Sequence, residues 1–139
     1  MGYKVIDAGS DAGIRAESFS LEGLFRELAL AMYSMTADPD KVNASIVERV
    51  EVMSHSLEGL LVAWLNELIY LLDTRGFVAG RVEITSLDAE GFRLMAVLGG
   101  ETLDTVRHGH GLLIKAATYH DLRIEKNDGL WSAQVMLDI

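Results

Sequence analysis

Hydrophobic residues recur at helical spacing in two parts of the chain. After Ser20, a suitable N-cap, apolar side chains return every three or four residues as far as Thr36. A wider apolar face follows Ser56 and stops near Gly76, and glycine is favoured just beyond a helix C-terminus. The pattern therefore predicts two helices, with Trp64 of the second helix in the core.

Apolar and polar residues alternate through most of the remaining chain, as in half-buried strands. Such alternation predicts strands over residues 3–6, 14–17, 46–53, 82–84, 92–98, 122–124 and 131–137, with a further apolar segment at 112–119. Lys126-Asn127-Asp128-Gly129 is a strong signal for a hairpin turn. We expect an α+β fold in which two helices pack on a largely antiparallel β-sheet, forming a single domain over residues 1–139.

The peptide Ser-Leu-Glu-Gly-Leu occurs twice, at residues 20–24 and 56–60. Each copy follows a predicted strand and opens a predicted helix. A duplicated strand–helix unit would explain the repeat, but a shared way of starting a helix is the simpler interpretation.

Two acidic residues, Asp7 and Asp11, lie among turn-forming residues that predict a loop over residues 7–13. Their carboxylates either bind a hard cation such as calcium or serve as turn and cap residues. Calcium takes about six to eight oxygen ligands. Asp138 and the carboxylate of Ile139 would supply more of them if the last strand ends beside this loop.

Composition excludes several kinds of chemistry. The 139 residues contain no cysteine, which rules out disulfides and thiolate metal sites. The net charge is −9 and the lysines and arginines are scattered, so we expect no tight direct binding of nucleic acid. The acidic charge suits a cation or a basic protein partner, or solubility alone. No apolar run is long enough to span a membrane and Asp7 comes too early for a secretory signal, so we expect a cytoplasmic protein.

The sequence contains no recognisable catalytic motif. The serines lack a nucleophile-elbow motif, and the glycine-containing segment 9–13 lacks the lysine of a phosphate-binding loop. We interpret His108-Gly109-His110 as a solvated loop rather than a metal pair, because no third ligand follows at a recognisable spacing. Asn66 and Glu67 interrupt an apolar helix, and we expect this polar pair to cap the helix or bridge it to the sheet.

Four segments together resemble the archease family, and their order and spacing cover nearly the whole chain. They are Asp7-Ala8-Gly9-Ser10-Asp11-Ala12-Gly13-Ile14, then Leu28–Tyr33, then Trp64–Asp73, and finally Lys115–His120 with the terminal Val135–Ile139. The chain departs from the family pattern at Ala8, where the family usually has histidine. That departure leaves the two acids in place but puts any role of the imidazole in doubt.

The resemblance implies a protein cofactor of an RtcB-type RNA ligase in tRNA splicing and RNA repair, not an enzyme. Such a protein would speed the transfer of GMP onto the ligase and allow repeated turnover. The resemblance also implies a divalent cation, most simply calcium, held by Asp11, Asp138 and Ile139, with Asp7 in a supporting role.

Two further residues of the motif, Lys115 and His120, have two interpretations. They contact the ligase or its nucleotide, or they are strand residues that face solvent. Two other functions stay open on the sequence. One is a small metal-dependent enzyme with Asp7 and Asp11 as ligands, and the other is a general chaperone-like binding module.

Overall fold

The computed structural model describes residues 2–8, 11–109 and 112–139, apart from the side chains of residues 7 and 8. The helices are Leu21–Thr36 (α1), Leu57–Arg75 (α2) and the short Thr105–His108 (α3), with a 3-10 turn at Pro39–Lys41. The strands are Gly2–Ala8 (β1), Asp11–Ser18 (β2), Ile46–Met53 (β3), Phe77–Asp88 (β4), Arg93–Thr102 (β5), Ala116–Ala117 (β6), Arg123–Asn127 (β7) and Leu130–Asp138 (β8).

The strands of the described residues form two antiparallel sheets. In the larger sheet, β8 pairs with β2 along one edge and with β6 and β7 along the other, and β1 lies outside β2. The smaller sheet has the order β3-β5-β4. The predicted α+β class with an antiparallel arrangement is confirmed, although the strands divide between two sheets instead of forming one.

Both long helices begin in the same way. The Ser20 hydroxyl accepts a hydrogen bond from the Gly23 amide at 3.0 Å, and Ser56 accepts one from Gly59 at 2.9 Å. Each serine thus satisfies one of the amides that a helix N-terminus leaves unpaired. The helices end differently, because only α2 is followed by a residue in the left-handed region, Gly76 with φ of 63°.

The core lies where α1 and α2 meet both sheets. Helix α1 contacts β2 of the larger sheet and β4 of the smaller one, and α2 contacts β3, β4 and β6. Trp64 is fully buried as predicted, and its indole nitrogen donates to the carbonyl of Phe25 at 3.0 Å. Asn66 bridges α2 to the larger sheet, since its amide exchanges two hydrogen bonds with the backbone of Ala117.

The larger sheet turns one face toward the helices and the other toward solvent. Ala133, Val135 and Leu137 of β8 are buried, whereas Asp138 is exposed. Residues that pair across an antiparallel sheet share a face. The solvent face, called the outer face below, therefore carries Asp11 and Asp138 in one row and Lys4, Arg15, Gln134 and Arg123 in another.

The loop predicted over residues 7–13 was wrong for residues 7, 8 and 11–13, which lie in strands, whereas Gly9 and Ser10 fall outside the described residues. Strand β1 continues to Ala8 and β2 begins at Asp11, with Asp7 pairing with Ala12 and Ala8 with Asp11. Backbone pairing in a hairpin outweighs the turn preference of small residues there. The apolar segment 112–119 forms only the two-residue strand β6. In the described residues, no helix combines the length and apolarity needed to cross a membrane.

Candidate metal centre

Two carboxylates that are distant in the sequence lie opposite each other in the larger sheet. Asp11 opens β2, Asp138 closes β8, and the two residues are Cα partners in the antiparallel pairing of these strands. Both side chains are exposed. Directly opposed residues of an antiparallel pair have Cβ atoms about 5 Å apart, close enough for both carboxylates to reach one ion.

Like charges directly opposite each other destabilise a sheet. In the described part of the chain, neither Asp11 nor Asp138 takes part in a salt bridge. Their repulsion is therefore not relieved by a cationic side chain of those residues. A bound cation would relieve it, and two carboxylates supply the hard oxygen donors that Ca²⁺ prefers.

The chain end next to Asp138 is held in position. The carbonyl of Asp138 accepts a hydrogen bond from the Lys115 amide at 2.8 Å, and Ala116 of β6 pairs with Asp138. The side chain of Ile139 is half-buried and packs against the core. Ile139 therefore follows directly after Asp138 on an anchored strand.

The donor set fits a hard cation only when the main chain contributes. The described residues contain no group of three or more histidine, cysteine, aspartate or glutamate side chains that could hold a metal ion. Asp11 and Asp138 would need the carboxylate of Ile139, together with carbonyl or water oxygens, to complete a calcium shell. Calcium and magnesium accept such mixed oxygen sets, whereas zinc sites favour nitrogen and sulfur ligands.

The other residues of the segment 7–13, predicted as an acidic loop, are only partly described. Asp7 lies in β1 opposite Ala12, and Ala8 lies opposite Asp11. The side chains of Asp7 and Ala8, and the whole of Gly9 and Ser10, fall outside the described residues, so the supporting role of Asp7 stays a prediction. Position 8, where the family usually has histidine, is the backbone partner of the proposed ligand Asp11.

Lys115 and His120, the two predicted partner-contact residues, are both exposed, but only Lys115 contacts the candidate metal centre. The backbone of Lys115 is bonded to Asp138, and its side chain is exposed. His120 is also exposed, and its Nε2 lies 3.3 Å from the carboxylate of the neighbouring Asp121. An exposed pair of this kind contributes little to stability. Both side chains are accessible to a partner, and their roles stay predictions.

The interpretation of residues 108–110 as a solvated loop was wrong for His108. This side chain is fully buried, its Nδ1 accepts the amide of Asp104 at 2.8 Å, and its Nε2 meets the carboxylate of Glu101. Because Nδ1 accepts, Nε2 must carry the proton, and neither nitrogen is free for a metal. His110 lies outside the described residues.

The same carboxylate also receives Arg107. Burial acts to raise the pKa of Glu101, but hydrogen bonds from His108 and Arg107 outweigh it and leave that pKa below its ordinary value. This is a paired internal cluster that ties α3 to β5. Sequence analysis missed it because its burial depends on how residues 101–109 fold back on the core.

The sequence is similar to archease proteins over nearly its whole length. The model of the archease protein family (MTH1598/TM1083) matches residues 3–139. Protein archease of Pyrobaculum calidifontis is 35% identical over 139 residues, which cover 99% of this chain and 95% of that protein. Protein archease of Thermococcus gammatolerans is 40% identical over 132 residues, covering 94% and 93% of the two chains.

Solved structures share the fold. The solution structure of protein 1598 from Methanobacterium thermoautotrophicum superposes with a TM-score of 0.79 at 34% identity and covers 99% of both chains. The crystal structure of an archease from Thermotoga maritima, described as a possible chaperone, has a TM-score of 0.61 at 18% identity and covers 98% of this chain and 96% of that one. At that identity the second structure shows the likeness of fold alone.

Proposed function

Because this chain belongs to the archease family, we propose that it is a non-catalytic protein cofactor of an RtcB-type RNA ligase in tRNA splicing and RNA repair. In this role it promotes transfer of GMP onto the ligase and lets each ligase molecule act repeatedly. The proposal rests on the resemblance of the whole chain to the family, and the ligase is the partner that the resemblance implies.

The observation that carries the site proposal is the pairing of Asp11 with Asp138 beside the chain end. We propose that these carboxylates and that of Ile139 hold a divalent cation, calcium in the simplest case, with Asp7 in support. When bound, the cation neutralises the opposed carboxylates. The residues of the chain hold it by their oxygen atoms, and the anchored end of β8 sets the spacing of those atoms.

The acidic surface supports a protein partner rather than free RNA. The chain carries a net charge of −9, and a field of that sign opposes the approach of a polyanion. Lys115 is exposed beside the end of β8, and His120 is exposed further back along that strand, next to Asp121, whose carbonyl bonds to Gln134. We expect both residues to contact the ligase or its bound nucleotide.

Calorimetric titration with calcium tests the site. We expect one bound ion in the natural chain and a loss of affinity of about tenfold or more in Asp11→Asn and Asp138→Asn. Asp128→Asn is a matched control, because Asp128 is exposed at the β7–β8 turn with φ of 52°, a conformation that asparagine also adopts. A Gly-Ser extension after Ile139 converts its carboxylate to an amide and should also weaken binding. Unchanged affinity in the extended protein would remove Ile139 from the site.

The ligase assay tests the function separately. Substoichiometric amounts of the protein should increase GMP loading of an RtcB-type ligase, and the isolated protein should not hydrolyse nucleotide. Hydrolysis by the isolated protein that disappears in Asp11→Ala would instead establish a metal-dependent enzyme. Equal stimulation of unrelated, aggregation-prone enzymes would favour a general chaperone-like module.

A further inference from the structure

Basic residues that are scattered in the sequence form a row across the outer face of the larger sheet. Lys4 of β1 pairs with Arg15 of β2, Arg15 pairs with Gln134 of β8, and Gln134 pairs with Arg123 of β7. Paired residues share a face, so three cationic side chains lie side by side on four adjacent strands. Lys4, Arg15, Gln134 and Arg123 are called the basic row below.

A neutral amide joins the two arginines of this row. Gln134 is 8% exposed, and its Oε1 accepts from Nε of Arg15 at 2.8 Å and from Nη2 of Arg123 at 2.9 Å. The amide is fixed in turn, since its Nε2 donates to the carbonyl of Asp121 at 3.1 Å. The two arginine nitrogens share one oxygen acceptor, so they lie within about 6 Å of each other. Two guanidinium groups are thus held together without a negative charge between them.

Neighbouring carboxylates do not neutralise this charge. Within the described residues, four other arginines are paired with glutamates, among them Arg75 with Glu48 and Arg93 with Glu51. Lys4, Arg15 and Arg123 take part in no salt bridge there. Guanidinium groups that are positioned by a neutral partner keep further N–H donors available for an anion.

The basic row forms the floor of a cleft. This cleft has a volume of about 470 Å³ and is lined by residues of β1, β2, β7 and β8. Its size lies within the range of small-molecule sites. Besides the basic row, the lining includes Ser132, which offers a hydroxyl, and the carboxylates Glu17 and Glu125.

Acidic residues on both sides limit the shape of an anion that fits. Glu17 and Glu125 pair with Ser132, two residues along β8 from Gln134, and Asp11 pairs with Asp138 four residues away in the other direction. At about 3.3 Å per residue these rows lie roughly 7 Å and 13 Å from the basic row. A long polyanion running along the strands would meet carboxylates on either side. A short anion lying across the strands would contact the basic row directly and leave the carboxylates of Glu17 and Glu125 about 7 Å to one side.

We propose that the basic row binds a short phosphate chain, either free pyrophosphate or the phosphate tail of a nucleotide. Arginine pairs suit phosphate because their planar forks donate two parallel hydrogen bonds to its oxygens, and Lys4 adds a third cation. The site does not depend on the proposed ligase partner or on the cation site, and it is tested with the isolated protein.

Calorimetric titration at physiological ionic strength, with inorganic pyrophosphate as the probe, tests the proposal. We expect binding by the natural chain and a loss of about tenfold in affinity in Arg15→Gln and in Arg123→Gln. Lys126→Gln is the matched control, because it removes the same charge from β7 but on the opposite face, where the ammonium lies 5.3 Å from the ring centre of Trp131. Its affinity should stay within about twofold of the natural chain, since distant exposed charges are screened.

A further variant, Lys4→Gln, distinguishes loss of the binding site from loss of folding. Lys4 makes no hydrogen bond to Gln134, so Lys4→Gln should melt at the natural temperature and still bind pyrophosphate more weakly. Titrations with GTP and with guanosine distinguish the sources of the phosphate. Binding of GTP but not guanosine extends the site to nucleotides, whereas binding of pyrophosphate alone restricts it to the free anion.

Three results would overturn the proposal. The first is the absence of pyrophosphate and GTP binding by the natural chain. The second is equal weakening by Lys126→Gln and Arg15→Gln, which would indicate only the general field of the protein. The third is tight binding of single-stranded RNA that depends on Arg15 while pyrophosphate does not bind, because the site would then recognise a strand rather than a short anion.

Discussion

Two rows of charged residues on one face of the larger sheet differ in whether the protein supplies a hydrogen-bonding partner for them. Asp11 and Asp138 oppose each other directly, with no charged side chain between them. Arg15 and Arg123 are separated by β8, and the buried amide of Gln134 holds both. The arginines thus have a permanent partner that positions them, whereas the aspartates depend on something that binds. The comparison explains why we assign a cation to the first row and an anion to the second.

The Glu101 cluster shows a third arrangement. Its carboxylate meets both Arg107 and His108, so its charge is satisfied within the protein. Buried charges are costly unless they are paired, and this cluster obeys that rule. The charges of the two exposed rows have no ionic partner among the described residues, so they are available to bind an ion of opposite charge.

The largest effect that we expect is the stabilisation of the protein by calcium, which should depend on Asp11 and Asp138 and not on other surface carboxylates. Calcium at one hundred times its dissociation constant should raise the free energy of unfolding by about 2.7 kcal/mol. Asp11→Asn removes one of the two opposed carboxylates, and a tenfold weaker affinity at the same calcium concentration would leave about 1.4 kcal/mol of this gain. Asp128→Asn should keep all of it. Thermal unfolding with and without calcium measures the difference. If calcium raised the unfolding temperature equally in both variants, Asp11 would not be a ligand and the contrast between the two rows would be wrong.

The next effect concerns the amide that holds the arginines. Gln134→Leu should lower the free energy of unfolding by about 2 kcal/mol, because the carbonyl of Asp121 and both guanidinium groups lose a partner. Gln134→Glu should restore the acceptor but neutralise the basic row, and pyrophosphate binding should fall. Urea unfolding and calorimetry measure the two quantities. A Gln134→Glu protein that binds pyrophosphate as well as the natural chain would contradict the proposed role of the row.

A smaller effect of opposite sign should appear when calcium is absent. Asp11→Asn removes the repulsion between opposed carboxylates, so it should raise the free energy of unfolding by about 0.5 kcal/mol in calcium-free buffer. Urea unfolding in the presence of a chelator measures it. Destabilisation of the calcium-free protein would show that Asp11 has a structural role in the hairpin instead.

The smallest effect lies at the acidic edge of the anion cleft. Glu17→Gln removes a carboxylate from the lining of the cleft, two residues along β2 from Arg15. We expect the affinity for pyrophosphate to rise about twofold, since exposed charges at this distance are partly screened. Calorimetric titration would detect the change. A fall in affinity would place Glu17 among the groups that hold the ligand.

Local signals in the sequence predicted the helices and the end of the chain. The serine caps at Ser20 and Ser56 act within three residues, and α2 ends at Gly76 as predicted, with this glycine in the left-handed region. The alternation that predicted a strand over residues 131–137 is observed in β8, where Val135 and Leu137 are buried and Asp138, on the other face, is exposed. Each of these features depends on neighbours along the chain, which is why pattern alone is sufficient.

Features that depend on distant pairing could not be predicted with the same certainty. The basic row joins residues 4, 15, 123 and 134, and only the register of four strands shows that they are adjacent. Turn-forming residues predicted a loop over 7–13, but residues 7, 8 and 11–13 lie in strands, because β2 pairs with β1 and with β8 as far as Asp11. His108 is buried by contacts with Asp104 and Glu101 that its glycine-flanked motif did not indicate.

Multiple-turnover RNA joining by an RtcB-type ligase tests the central claim most directly. The ligase is measured with substoichiometric amounts of the natural protein, of Asp138→Asn and of the control Asp128→Asn. The account predicts many joined products per ligase with the natural protein and with Asp128→Asn, and a return to the unassisted level with Asp138→Asn. Equal joining with Asp138→Asn, or no stimulation by the natural protein, would contradict it.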